Sequence, residues 1–141
     1  MSRAVAIEVS HLGKTYEKVR AVDDLSFQVY AGEIFGLLGP NGAGKSTTLR
    51  ILITLLHPTS GAATLLGMDS VKDADRVRKT IGYVPQERAI DRFLTGREHL
   101  ELLADLYHLS PEDASTRIPQ LLKLVELEQQ ADRPAKTYSG G

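Results

Sequence analysis

The stretch Gly39-Pro40-Asn41-Gly42-Ala43-Gly44-Lys45-Ser46-Thr47 constrains this chain more than any other. It fits the pattern G-x-x-x-x-G-K-[ST], with Gly39, Gly44, Lys45 and Ser46 at the fixed places. The apolar run Ile34-Phe35-Gly36-Leu37-Leu38 precedes it, so a buried strand over 33–38 is expected to feed the loop and a helix to open near Gly44 or Lys45. That context suits a phosphate-binding loop. Successive backbone N–H groups, backed by a helix N-terminus, supply donors and a favourable dipole to a polyphosphate. Lys45 would set its ammonium on the β- and γ-phosphates, and the Ser46 hydroxyl would turn to Mg²⁺, a hard cation that prefers oxygen. A plain Gly-rich turn between a strand and a helix explains the glycines but gives no reason for Lys-Ser after the third.

Composition narrows the remainder. The 141 residues have a formal net charge of −1 and 42% hydrophobic content, which reads as one soluble globular domain. That charge gives no footprint for a nucleic-acid backbone, so no nucleic-acid partner is expected. There is no cysteine, which excludes disulfides, thiolate metal sites and cysteine nucleophiles. The N-terminus lacks the apolar core of a secretory signal, and no window approaches the roughly 18 apolar residues of a membrane span. A cytoplasmic location is expected, compatible with docking on a membrane partner.

Along the chain, residues 4–9 and 25–30 read as strands, with a strand, turn and return between them through Lys14–Asp24. Asp23-Asp24 is a carboxylate pair by sequence only, since neighbours in a turn point apart into water. The helix after the loop carries Leu49, Leu52, Ile53 and Leu56, a stripe expected to pack on the sheet. Residues 62–66 read as a strand and 69–80 as a short helix whose Arg76, Arg78 and Lys79 are read as a solvated face. Ile81-Gly82-Tyr83-Val84 is a short strand stopped by Pro85, with Gln86 at its end, where ligands gather in open α/β sheets. From residue 92 the pattern is helical: Leu100, Leu103, Ala104 and Tyr107 form one stripe, and Ile118, Leu121, Leu122 and Val125 another. Ser110-Pro111 starts the second helix as a cap. Pro119 is expected to kink that helix or mark where its main part begins. His99 and His108 lack a ligand spacing, so no metal is assigned to them.

These parts come in a telling order. With Asn41-Gly42-Ala43 inside the loop, Gly82-Tyr83-Val84-Pro85-Gln86 further on, a helical insertion and a final Ser139-Gly140-Gly141, the chain resembles the ATP-binding subunit of ABC transporters from Ile7 to Gly141. The resemblance implies an α/β P-loop NTPase fold: a RecA-like core with an antiparallel β subdomain, plus a helical subdomain, incomplete at the C-terminus. It divides the chain into core and β subdomain (1–91), helical subdomain (92–138) and the start of the signature motif (139–141).

The same resemblance implies ATP and Mg²⁺ as ligands, bound by Gly39, Pro40, Asn41, Gly42, Ala43, Gly44, Lys45, Ser46 and Thr47. Tyr16 matches the aromatic that stacks on adenine, and its alternative is a half-buried strand tyrosine. Gln86 matches the glutamine that contacts Mg²⁺ or the attacking water, which makes Lys45 and Gln86 the catalytic candidates and Ser46 and Gln86 the metal candidates. Ser139, Gly140 and Gly141 match the motif that closes on the γ-phosphate held by a second, head-to-tail ATP-binding subunit. A transmembrane permease subunit is the other implied partner, which would hold the protein at the inner face of the membrane.

Leu94-Thr95-Gly96-Arg97-Glu98 and the tyrosine before Ser139 resemble the drug- and antibiotic-export branch, of daunorubicin-resistance type. The family also requires an apolar strand ending in Asp-Glu after the signature, then a switch histidine. Neither occurs in these residues, since Leu65-Leu66-Gly67-Met68-Asp69 precedes Gln86 and Asp105 falls in a helical pattern. The chain is therefore expected to be the first part of a larger domain with a bared apolar sheet edge. Alone, it is expected to bind ATP weakly or not at all and not to hydrolyse it. Alternatives are an ABC-type ATPase of translation or DNA repair, and a degenerate, non-hydrolytic ATP-binding fragment.

Overall fold

The computed structural model describes residues 3–85 and 91–138. They fall in two units, Met1–Val84 and Pro85–Gly141.

The first unit is built on a long hairpin. Strands β1 (Val5–Tyr16) and β2 (Val19–Tyr30) pair antiparallel around a tight turn at Glu17-Lys18. The two strands expected at 4–9 and 25–30 are thus the outer ends of longer ones, and the segment between them supplies the rest. Strand β3 (Ser60–Leu65) pairs with the other side of β1, and the short β4 (Met68–Asp69) follows, giving the order β2-β1-β3-β4. The ladder slips between Val9 and Leu12. His11 and Asp24, both at positive φ, join there through His11 Nδ1 and Asp24 Oδ1 at 2.6 Å. Such irregularities increase strand bend and twist.

Helix α1 (Lys45–Leu52) and the one-turn helix α2 (Ala74–Arg78) cover the sheet. Val9, Leu12, Ile51, Leu52, Ala63, Leu65 and Val77 form the buried core. The face that α1 buries is the expected one only in part: Leu52 is buried, and Leu56, past the helix end, packs against the same core. Thr48, Ile51 and Leu52 are buried, whereas Leu49 is 45% exposed and Ile53 and Leu56 lie beyond the helix end. The helix is too short to carry the predicted stripe, and its direction out of the loop rotates Leu49 outward. The helix expected over 69–80 likewise shrinks to α2, because Asp69 turns its carboxylate onto the N–H groups of Val71 and Lys72 and holds a turn there.

Two expected strands are not strands here. Residues 33–38 and 81–84 pair with no neighbour among the described residues. Ile34 and Leu38 are fully or almost fully exposed, at 102% and 91%. Every described pairing is antiparallel. A hairpin carries its partner in the adjacent sequence, whereas a strand of a parallel sheet owes all its ladder bonds to distant segments. None of the described segments takes that place.

The second unit packs α3 (Gly96–Leu106) with α4 (Pro111–Leu124), followed by a single 3₁₀ turn at Ala135–Thr137. Its core is Ile118, Leu122 and Ala131, with Leu100, Ala114 and Leu127 against it. Leu103, Tyr107, Leu121 and Val125, expected in the buried stripes, are exposed. Ser110 caps α4 as expected, its hydroxyl accepting from the Asp113 N–H at 3.0 Å, with Pro111 in the first turn. Pro119, however, lies inside a helix that continues on both sides of it. The burial of Ile118 and Leu122 holds the helix across the one hydrogen bond that proline cannot make.

Candidate functional site

The loop at 39–47 adopts a conformation that only its glycines permit. Gly42 and Gly44 have φ of 84° and 82°, in the left-handed region. At Gly44 the restriction is double, because an added Cβ would run into the Ala21 carbonyl oxygen and lie 3.1 Å from Val22 Cγ2. Gly44 is also the N-cap of α1 and makes no side-chain cap bond. The first-turn amides of Lys45, Ser46 and Thr47 have no intrahelical acceptor, so they remain donors facing the loop. An eight-residue helix with an uncapped start presents the positive end of its dipole to the same place.

Lys45 folds back over the loop. Its ammonium donates to the carbonyls of Gly39 at 2.6 Å and Pro40 at 2.7 Å, and the Ala43 N–H bonds to the Pro40 carbonyl at 3.2 Å. The positive charge is thus held against the loop backbone, close to the open amides at the start of α1, an arrangement suited to a polyphosphate. Ser46 is exposed in the first turn of α1, next to these donors. These groups fit both a nucleotide triphosphate and an oxygen-preferring cation brought with it.

Tyr16 stands at the end of β1, opposite Val19, and is 42% exposed. The hairpin register relates it to the loop. Lys14 pairs with Val22, the residue touching Gly44, and Tyr16 lies two positions further along β1, about 7 Å at the usual strand rise. The tyrosine and the loop therefore both lie against the β1–β2 hairpin of the first unit. Beside the ring, the Lys14 ammonium lies 5.3 Å from its centroid and donates to the His57 carbonyl at 2.8 Å. Lys14 was not singled out from sequence, although residues i and i+2 of a strand share a face, and that signal was present.

Gln86 and Ser139, Gly140 and Gly141 lie outside the described residues. The residue leading into that last segment is well fixed. Tyr138 donates from its hydroxyl to the Gln130 carbonyl at 2.6 Å, and its ring end lies where a Cβ on Gly96 would be, 2.6 Å from the hydroxyl oxygen. Backbone bonds from Ala135 to Leu94 and from Lys136 to Arg92 strap the same segment to the start of α3. Among the described residues, no group of three or more His, Asp or Glu gathers as a metal site, and no helix is long and apolar enough to cross a membrane.

The chain is similar to known proteins over most of its length. The profile of a family described as ABC transporter matches residues 22–141. The daunorubicin/doxorubicin resistance ATP-binding protein DrrA of Streptomyces peucetius is 46% identical over 136 residues, 96% of this chain and 41% of that protein. Nod factor export ATP-binding protein I of Sinorhizobium fredii is 43% identical over 137 residues, 97% of this chain and 40% of that protein. A solved structure described as the ATP binding subunit of an ABC transporter superposes with a TM-score of 0.76 at 34% identity, covering 95% of this chain and 56% of that one. The chain thus spans about two-fifths of the length of these two relatives.

Proposed function

The chain belongs to the ABC transporter family, with the P-loop ATP-binding fold of such subunits, and on that premise we propose that its residues bind Mg·ATP for a membrane exporter. The observation that carries this reading is the loop itself: Lys45 poised on the Gly39 and Pro40 carbonyls, beside the uncapped amides of α1.

In this reading Gly39 to Thr47 cradle the phosphates, Lys45 neutralises the β- and γ-oxygens and Ser46 faces the metal. Tyr16 offers its exposed face to adenine. Gln86 completes the metal and water contacts. Ser139, Gly140 and Gly141 close on the γ-phosphate held by a second ATP-binding subunit, arranged head to tail. Residues 1–91 are then the core with its antiparallel subdomain, 92–138 the helical subdomain and 139–141 the signature start.

The relatives named for daunorubicin/doxorubicin resistance and Nod factor export point to export of a small molecule through a separate permease. The protein would then work on the cytoplasmic face of the membrane. Within these 141 residues the phosphate donors come without an Asp-Glu pair in the required order, so what is proposed of them is binding of ATP and not its turnover.

Calorimetric titration of the chain with Mg·ATP tests the reading. A preformed loop leads to weak, saturable binding, which Lys45→Ala lowers at least tenfold while the far-ultraviolet circular dichroism stays unchanged. Absence of saturable binding, or a Lys45→Ala variant that binds as well as the parent, overturns it.

A further inference from the structure

The ring proposed to carry the base is itself held by a charge. We propose that Lys14 is a positioning residue for the nucleotide base, fixing the Tyr16 ring through a cation–π contact on one face while the other receives the purine. This rests on the ATP-binding reading above.

Lys14 and Tyr16 are two apart on β1 and so share a face of the strand. The Lys14 ammonium, 5.3 Å from the ring centroid, lies within the range of a cation–π attraction. It is not free to drift from there. Its hydrogen bond to the His57 carbonyl, at 2.8 Å, ties it to the segment that follows α1. That segment is zipped to β1 by two further bonds, from the Thr59 N–H to the Gly13 carbonyl at 2.8 Å and from the Thr15 N–H to Thr59 Oγ1 at 3.1 Å.

The consequence for binding is mechanical. The helix that carries the phosphate loop at its start is linked through His57 and Lys14, beyond its end, to the tyrosine. A ring held in one orientation loses less rotational freedom when a purine stacks on it, so more of the stacking free energy appears as affinity. A positive charge on the far face also fixes which face is open. Lys14 is half-buried with its ammonium on the His57 carbonyl, whereas the ammonium on the loop carbonyl of Gly39 is that of Lys45, so the effect of Lys14 falls on the base and not on the phosphates.

The test uses calorimetric titration of the 141-residue chain with Mg·ATP and, separately, with Mg·tripolyphosphate, which has no base. Lys14→Met keeps the aliphatic stem and removes the charge. It is expected to weaken Mg·ATP binding about three- to fivefold and leave tripolyphosphate binding unchanged. Lys14→Arg, which keeps a cation over the ring, is expected to bind both as the parent does. In a Tyr16→Leu background, Lys14→Met should have no further effect on Mg·ATP, since the coupled partner is gone.

Equal losses for both ligands would show a general structural role and overturn the proposal, as would an unchanged Mg·ATP affinity or an undiminished effect without Tyr16. Failure of the parent chain to prefer Mg·ATP over tripolyphosphate would instead overturn the base-binding reading beneath it, and this inference with it.

Discussion

Gly44 is where three demands meet in one residue. It must take a left-handed backbone, cap α1 without a side chain, and pass within contact of the Ala21 carbonyl. Alanine at this position meets strain and a backbone collision at once, because the obstacle is a carbonyl of β2 and not the flexible end of a side chain. Gly44→Ala is expected to cost about 1–3 kcal/mol in urea unfolding and to lower Mg·ATP affinity by more than tenfold. Unchanged binding by a folded Gly44→Ala variant would show that the contact with β2 does not shape the loop. Lys14 and Lys45 show the same economy at residue scale: each ammonium is placed by a backbone carbonyl, of His57 in one case and of Gly39 and Pro40 in the other.

At the scale of elements, α3 shows how much local sequence can decide. Thr95 and Glu98 form a reciprocal cap, with the Glu98 N–H donating to Thr95 Oγ1 at 3.1 Å and the Thr95 N–H donating to Glu98 Oε2 at 2.7 Å. The backbone bond from Thr95, then its side chain, hold the Glu98 carboxyl below its ordinary value of 4.5. Asp132 is lowered as well, first by its hydrogen bond from Arg97.

A carboxyl whose folded value is depressed stabilises the fold above its unfolded value, and that contribution is lost as pH falls through the folded one. The second unit is therefore expected to lose helical signal as pH drops from about 5 to about 3, with Glu98→Gln flattening that dependence. An unchanged pH profile in the variant would rule out the cap as its source. The Thr-x-x-Glu spacing at 95–98 was a readable start signal for α3, as Ser110-Pro111 was for α4. Pro119 was less readable, since whether a helix survives an internal proline depends on what its neighbours bury.

Across the whole molecule, apolar residues divide into those that hold the fold and those that await no described neighbour. Leu12 is completely buried in the core of the first unit, whereas Ile34 is wholly exposed. Both are large aliphatic residues, and of the two it is Ile34, inside the apolar run 34–38, that sequence marks for burial, whereas Leu12 stands among His11, Gly13 and Lys14. Leu12→Ala is expected to destabilise the chain by about 2–5 kcal/mol in urea unfolding. Ile34→Ser should change stability by no more than about 0.5 kcal/mol. A large loss from Ile34→Ser would mean that Ile34 itself packs against the folded unit in solution, as Phe35 does by stacking on Phe27.

The sequence alone determined what nearest neighbours determine. The Gly39 to Thr47 pattern announced a tight glycine turn and the helix that opens from it. β-branched residues over 4–9 and period-two alternation over 25–30 marked the outer ends of the hairpin, and Ser110-Pro111 marked a helix start, because each needs only a few adjacent residues to form. The tertiary structure decided what depends on distant ones. It chose Thr48, Ile51 and Leu52 as the buried face of α1, left 33–38 without a ladder, set Gly44 against Ala21, and brought the His57 carbonyl to Lys14. Hydrogen-bond pairing and burial across many residues of chain follow from where the whole backbone goes, and no local pattern encodes that.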